Sequence, residues 1–326
     1  MCSIGGFISS KPISKTSADA LITAMLYYGM ERGEQSAGVY MNNTLLKKAM
    51  NPFELSQTKE FDDLFLTSPS YALVHTRHPT SGGTGDKQAQ PFMAGDTVTV
   101  HNGWFNNIHE IKGKWEIKKK SGVDSELVTQ FIHSYGIKKL PEFLKSVSGS
   151  AAFGILYKGE LYLMRDGNPT SYTTLDFGKT KVFAFASTPR MLSNALRHAW
   201  LIPGDHKIKE TKEGVLYHAT PDGVTGMSPK VFTKMTDWSQ YRGRRFPGHS
   251  HMYKQAYGQD DLTDFSTFSE FDRKELETLR AELGDSADLI LSAEGIDLEN
   301  PEEAQATEQF DDLRYFHPDR ESDKKD

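Results

Sequence analysis

The stretch Met1-Cys2-Ser3-Ile4-Gly5-Gly6-Phe7 decides how the chain is read. Cys2 is the only cysteine among 326 residues, and it directly follows the initiator. Initiator methionine is normally removed when the second residue is small, and cysteine qualifies. Cys2 would then carry a thiol and a free α-amine on one residue. An α-amine titrates near ~7.7–8.0, the range that suits a general base at neutral pH. The thiol is the stronger nucleophile, and an adjacent base activates it. Ser3 to Phe7 is a short apolar run with two glycines and reads as a buried strand. Such a strand would fix the new terminus in a core, whereas most termini are frayed. Position alone leaves an incidental terminal cysteine as the alternative, so the rest of the chain has to decide.

Composition narrows the class. A hydrophobic content of 37% with 25% charged residues fits a globular protein with a polar tail. The length suits one large domain with an appendage, or two domains. No apolar run approaches the ~18 residues of a membrane span, and the first residues lack the basic and apolar regions of a signal peptide. A lone cysteine makes no internal disulfide, which points to a reducing cytoplasm. The net charge of −6 argues against a general nucleic-acid binder.

Working outward, Ser17 reads as a helix N-cap, with Ala18, Leu21, Ile22, Met25 and Leu26 at helical spacing and Gly29 as the stop. A charged turn, Glu31-Arg32-Gly33-Glu34-Gln35, leads to a strand at 39–41. Residues 71–77 read as a strand ending on Arg77, followed by a glycine-rich loop of the kind on which sites are built. Residues 96–100 form another strand, running into His101-Asn102-Gly103. Asn-Gly there is most often a tight turn; the functional alternative is an oxyanion hole made by the asparagine amide and the glycine N–H. Asp124 or Ser125 caps a helix reaching about His133, either for the dipole or for a ligand. Residues 150–157 and 160–165 read as a hairpin across Lys158-Gly159. A strand at 182–186, a helix at 189–199 and a last strand at 214–219 complete a block of stacked sheets flanked by helices. From about residue 227 the texture turns polar: an aromatic-basic segment at 241–246, an amphipathic helix at 269–283 and an acidic end that reads as disordered or loosely docked.

Taken together, Cys2-Ser3-Ile4-Gly5-Gly6, Arg32-Gly33-Glu34-Gln35-Ser36-Ala37-Gly38, His75-Thr76-Arg77-His78-Pro79-Thr80, Gln88-Ala89-Gln90-Pro91-Phe92, His101-Asn102-Gly103 and Asp124-Ser125-Glu126 resemble, in order, the motifs of class II (N-terminal nucleophile) glutamine amidotransferases. The resemblance covers roughly residues 2–220 and is nearest the glutaminase domains of amidophosphoribosyltransferase and glucosamine-6-phosphate synthase. It implies an α+β fold, the four-layer αββα sandwich of N-terminal nucleophile hydrolases, over 2–226, with 227–326 as a partly helical C-terminal extension. It implies Cys2 as nucleophile with its own α-amine as base, and Asn102 and Gly103 as oxyanion hole. It also implies Arg77 on the substrate α-carboxylate, Asp124 on the α-ammonium and Thr80 lining the pocket. L-glutamine is the implied substrate, with no cofactor and no metal. Free glutamine is a zwitterion, so a selective site needs one cation and one anion at the amino-acid end. A thiol and oxyanion donors are needed at the amide end.

Three departures stand out. Gln35 replaces a usual acidic residue and His78 an aromatic one, while Arg165-Asp166-Gly167-Asn168-Pro169 continues into Thr170-Ser171-Tyr172 instead of the usual ending. After residue 220 there is no phosphoribosyltransferase, sugar-isomerase or pyrophosphatase signature. The expectation is therefore a glutaminase that supplies ammonia to a separate synthase, docked through 227–326. The alternatives are an N-terminal-cysteine amidase for another amide and a non-catalytic interaction protein keeping the fold. The pairing of Arg77 with Asp124 favours the first, because a simple acyl amide needs no zwitterion clamp.

Overall fold

The computed structural model describes residues 2–78, 83, 85–199 and 207–226. All of them belong to one compact unit, Met1–Tyr241; a second, Arg242–Asp326, lies outside the described residues, as do Thr80 and the expected features of 227–326.

In chain order the elements are β1 (Ser3–Ser9), α1 (Lys15–Gly29), β2 (Ser36–Met41), β3 (Thr44–Lys48), α2 (Pro52–Ser56), α3 (Lys59–Asp62), β4 (Tyr71–Arg77), β5 (Phe92–Ala94) and β6 (Thr97–Phe105). There follow α4 (Ile108–Trp115), α5 (Glu126–Tyr135), α6 (Leu140–Leu144), β7 (Gly149–Tyr157), β8 (Glu160–Asp166), β9 (Ser171–Asp176), β10 (Lys181–Ala186), α7 (Pro189–His198), β11 (Lys209–Glu210), β12 (Tyr217–Thr220) and β13 (Gly223–Gly226). They build two sheets, ordered β11-β9-β10-β1-β4-β2-β3 and β13-β12-β8-β7-β6-β5. The pairings along both are antiparallel.

Side-chain alternation on the central strands defines three apolar layers. On β10, Phe183 and Phe185 face the space between the sheets, while Val182, Ala184 and Ala186 face α1 and α7. On β7, Ala152 and Leu156 face the inter-sheet space, while Ala151, Phe153 and Ile155 pack with Leu127, Phe131 and Phe143 of α5 and α6. Strands buried on both faces read as continuous apolar runs, which is why period-two patterning is weak here. Helix, sheet, sheet, helix is the αββα order, and the fold is the α+β sandwich of N-terminal nucleophile hydrolases.

The helices covering the first sheet follow from local sequence. The side chain of Ser14 caps α1 by accepting from the Ser17 backbone N–H at 3.1 Å, so the N-cap lies three residues before the expected one. Ala18, Leu21, Ile22, Met25 and Leu26 form its buried stripe. Thr188 caps α7, with Pro189 in its first turn, where a missing N–H costs nothing.

Two further expectations are corrected. His101-Asn102-Gly103 is not a turn: β6 continues to Phe105, paired residue by residue with β7. The strand expected at 214–219 begins only at Tyr217, and a further strand, β13, pairs with it.

Candidate active site

β1 lies between β10 and β4, and its register sets Ser3 opposite Thr76. Cys2 therefore emerges beside Arg77, at the end of β4. Cys2 is buried, and the Arg32 side chain donates through Nε to its carbonyl at 2.9 Å. The thiol donates toward the His78 carbonyl at 3.6 Å. Burial pushes the thiol pKa up, opposed by a backbone hydrogen bond at His78 and by the positive charges of Arg77 and Arg32. A thiol so placed rests protonated at neutral pH, so it needs a nearby base to act.

The second sheet delivers the facing groups. The backbone N of Cys2 donates to Asn102 Oδ1 at 3.1 Å. The other end of that carboxamide, Nδ2, is buried without a hydrogen-bond partner among the described residues. A buried, unspent amide donor on the same carboxamide that holds the nitrogen of Cys2 is what an oxyanion hole beside that thiol requires. Gly103 follows with φ +150°, and a Cβ there would collide with the Ser150 carbonyl. Only glycine allows β6 to approach β7 so closely at this point.

Asp124 sits in the segment before α5 and is buried. Its Oδ2 accepts from the Phe105 N–H at 2.8 Å and its Oδ1 from the Ser125 N–H at 3.0 Å. Each carboxylate oxygen has further acceptor capacity. Arg77 is buried and donates from Nη1 to the Gly83 carbonyl at 2.8 Å. Burial pulls its pKa down, while Cys2 and Asp124 pull it up, so the three groups share one electrostatic neighbourhood. Of the expected site residues, Cys2, Asn102, Gly103, Arg77 and Asp124 converge; Thr80 lies outside the described residues.

Arg32 and Gly33 belong to the site although sequence reasoning gave them no role. Gly33 lies against the backbone of Arg77 and His78, where a Cβ would collide with the Arg77 carbonyl carbon. Their signal was the Arg-Gly pair in a turn between helix and strand. The two departures at Gln35 and His78 meet each other: Gln35 Oε1 and His78 Nδ1 are 3.2 Å apart. The stretch Arg165 to Pro169 packs behind β7, away from the thiol. Arg165 donates from Nε to the Thr211 carbonyl at 2.6 Å, and Asn168 donates from Nδ2 to Ser150 Oγ at 2.8 Å. Among the described residues, no group of three His, Cys, Asp or Glu is placed to hold a metal. No described helix is long and apolar enough to cross a membrane.

A buried thiol at the head of an inner strand, facing the Asn102 carboxamide across two stacked sheets, fits the architecture of N-terminal nucleophile hydrolases. Comparison with known proteins gives the family. Residues 75–194 match the model of a glutamine amidotransferase domain. The chain is 28% identical over 182 residues to glutamine–fructose-6-phosphate aminotransferase (isomerizing) of Acinetobacter baylyi, covering 52% of this chain and 29% of that protein. It is also 28% identical over 146 residues to amidophosphoribosyltransferase of Pasteurella multocida, covering 41% of this chain and 28% of that protein. The fold is shared with glutamine phosphoribosylpyrophosphate amidotransferase from B. subtilis, at a TM-score of 0.54 and 18% identity, over 72% of this chain and 50% of that one. The chain thus carries a class II glutamine amidotransferase domain, and it spans under a third of the length of these two relatives.

Proposed function

We propose that this chain hydrolyses the side-chain amide of L-glutamine and passes the ammonia to an acceptor bound by a separate synthase. The observation that carries the reading is the single carboxamide of Asn102, which accepts from the nitrogen of Cys2 at one end and, among the described residues, keeps a buried free donor at the other.

With Met1 removed, the nitrogen of Cys2 is a neutral α-amine. It gives one hydrogen to Asn102 Oδ1 and keeps its lone pair for the thiol proton. The thiolate attacks the amide carbon, and the negative charge developing on oxygen is met by Asn102 Nδ2 and the Gly103 N–H. The proton held by the amine goes to the leaving nitrogen, and ammonia departs. Water, deprotonated by the same amine, then cleaves the glutamyl thioester to glutamate and restores the thiol. At the other end of the substrate, the Arg77 fork takes the α-carboxylate and Asp124 the α-ammonium, with Thr80 lining the pocket. Both assignments are supported by burial, which strengthens charge pairing by excluding water. Such a mechanism uses no metal or cofactor. The cytoplasm is the setting that fits a lone, reduced cysteine.

The experiment is a glutamate-release assay on protein whose N-terminus is established by intact mass. Protein beginning at Cys2 should be active, and a homogeneous Met1-retaining sample inactive, because a peptide N–H cannot take the thiol proton. Full activity with Met1 retained would overturn the base assignment. Truncation at Met227 should leave basal hydrolysis and remove stimulation by the partner synthase, if 227–326 is the docking segment.

A further inference from the structure

We infer that Gln90, His101 and Ser125 form one buried positioning device that sets the oxyanion-hole amide and the Asp124 carboxylate together; this rests on the glutaminase reading above. Asn102 and Asp124 come from different elements, β6 and the segment before α5, and must be held in register for one substrate to meet both. Each is the immediate neighbour of a network member: His101 precedes Asn102, and Ser125 follows Asp124. All three network side chains are buried.

The carboxamide of Gln90 joins the two arms. Its Oε1 accepts from the His101 backbone N–H at 2.8 Å, and its Nε2 donates to the His101 carbonyl at 3.0 Å and to Ser125 Oγ at 3.2 Å. The two donors of Nε2 are thus both spent, and its orientation is fixed, because a flipped amide would set N–H against N–H. Ser125 Oγ, which accepts from Gln90, also shares a hydrogen with His101 Nδ1, 2.7 Å away; which of the two donates follows the tautomer of the ring. Burial keeps His101 neutral at neutral pH, so its ring serves as a hydrogen-bond partner in the device. From the other sheet, His75 donates through Nε2 to the same His101 carbonyl at 3.1 Å. Behind Gln90, Lys47 Nζ holds the Ala89 carbonyl at 2.7 Å. The backbone of His101 is thus gripped at N–H and at C=O, one residue before the oxyanion amide.

Removing the Ser125 hydroxyl frees a Gln90 N–H and the His101 Nδ1 at once and loosens both arms. The oxyanion arm acts mainly in the transition state and the carboxylate arm on bound substrate. Ser125→Ala should therefore lower kcat and raise KM together, for a combined loss of roughly 10- to 100-fold in kcat/KM. The decisive readout is a double-mutant cycle with Asn102→Ala. If Ser125 acts through the oxyanion amide, Asn102→Ala should cost several-fold less in kcat when Ser125 is already alanine. Gln90→Met, of similar volume and without the carboxamide, is the second variant and should show the same non-additivity. A general weakening of the fold would lower the melting temperature and leave the two losses independent. With active wild-type protein, additive effects and an unchanged KM in both variants overturn the device and leave the glutaminase reading standing. An inert wild-type protein of established Cys2 terminus overturns both.

Discussion

The two sheets contribute unlike halves of the site. The first, through β1, β4 and the turn after α1, supplies Cys2, Arg77 and Arg32: the thiol and the cations, with Cys2 the proposed nucleophile. The second, through β6 and the segment before α5, supplies Asn102, Gly103 and Asp124: the proposed oxyanion donors and the anion. Between them the sandwich is apolar, with Ile4, Leu73, Val100, Phe183 and Phe185 in one layer. At the site this layer gives way to two polar links across the sheets, Cys2 N to Asn102 Oδ1 and His75 Nε2 to the His101 carbonyl. In the glutaminase reading neither sheet can grip a zwitterion alone, since each carries one sign of charge. Selectivity for a free amino acid is thereby tied to correct stacking of the sheets.

The hardest blow to the first half is Cys2→Ala. It deletes the only thiol in the chain, so glutamate release should vanish. Glutamine binding should persist, because the second sheet and Arg77 are untouched. Isothermal titration with glutamine beside the turnover assay checks both statements. The corresponding blow to the second half is Asn102→Ala. It should lower kcat on the order of 10²–10³, as for other oxyanion donors, with KM changing less. A rate loss under tenfold would move the oxyanion hole elsewhere.

The seam between the halves should be sensitive to acid. Burial holds His75 at about 3 and His101 at about 4, against about 6.5 for an exposed histidine. Below 6.5 the unfolded chain takes up protons that the folded chain refuses, so stability is full above 6.5. It falls as the pH drops towards 4 for His101 and towards 3 for His75. At pH 5 each should have cost about 2 kcal/mol. Urea midpoints should therefore fall between pH 7 and pH 5, and His75→Gln should flatten that dependence by about half. An unchanged slope in the variant would mean that His75 is not the neutral, buried group of the seam.

The halves were not equally legible in the sequence. The first was clear: Cys2 stands behind the initiator, and β1 and β4 are apolar runs ending in polar residues, so both strands and Arg77 could be placed. In the second, local chemistry misled. Asn102-Gly103 has the composition of a turn, yet β6 runs through it because β7 supplies backbone partners up to Gly149, a long-range pairing with no local signal. The polar network was illegible for the same reason. Gln90, His101 and Ser125 are spread over 35 positions and become one unit only when the β6 strand lies beside the segment preceding α5. The strands β3, β5, β9, β11 and β13 went unread because edge and near-edge strands carry little apolar pattern. The sandwich itself followed from the resemblance of motifs, since strands buried on both faces lack the alternation that would reveal their layers.

The mildest test exchanges one cation for another within the first half. Arg77→Lys keeps the positive charge beside Cys2 but replaces a planar fork with a single ammonium. The bidentate hold on a carboxylate is lost, and so is the Nη1 bond to the Gly83 carbonyl. Charge remains available to the thiolate, so the chemical step should change little. Substrate capture should suffer instead, with KM rising about tenfold, or about 1.4 kcal/mol, and kcat staying within about threefold. This split separates the carboxylate clamp from a general electrostatic role. A fall in kcat at constant KM would place Arg77 with the reacting thiol, as a stabiliser of its charge. A variant indistinguishable from wild type would remove the cation from the amino-acid end of the site. Selectivity for the zwitterion would then have to rest on Asp124 alone.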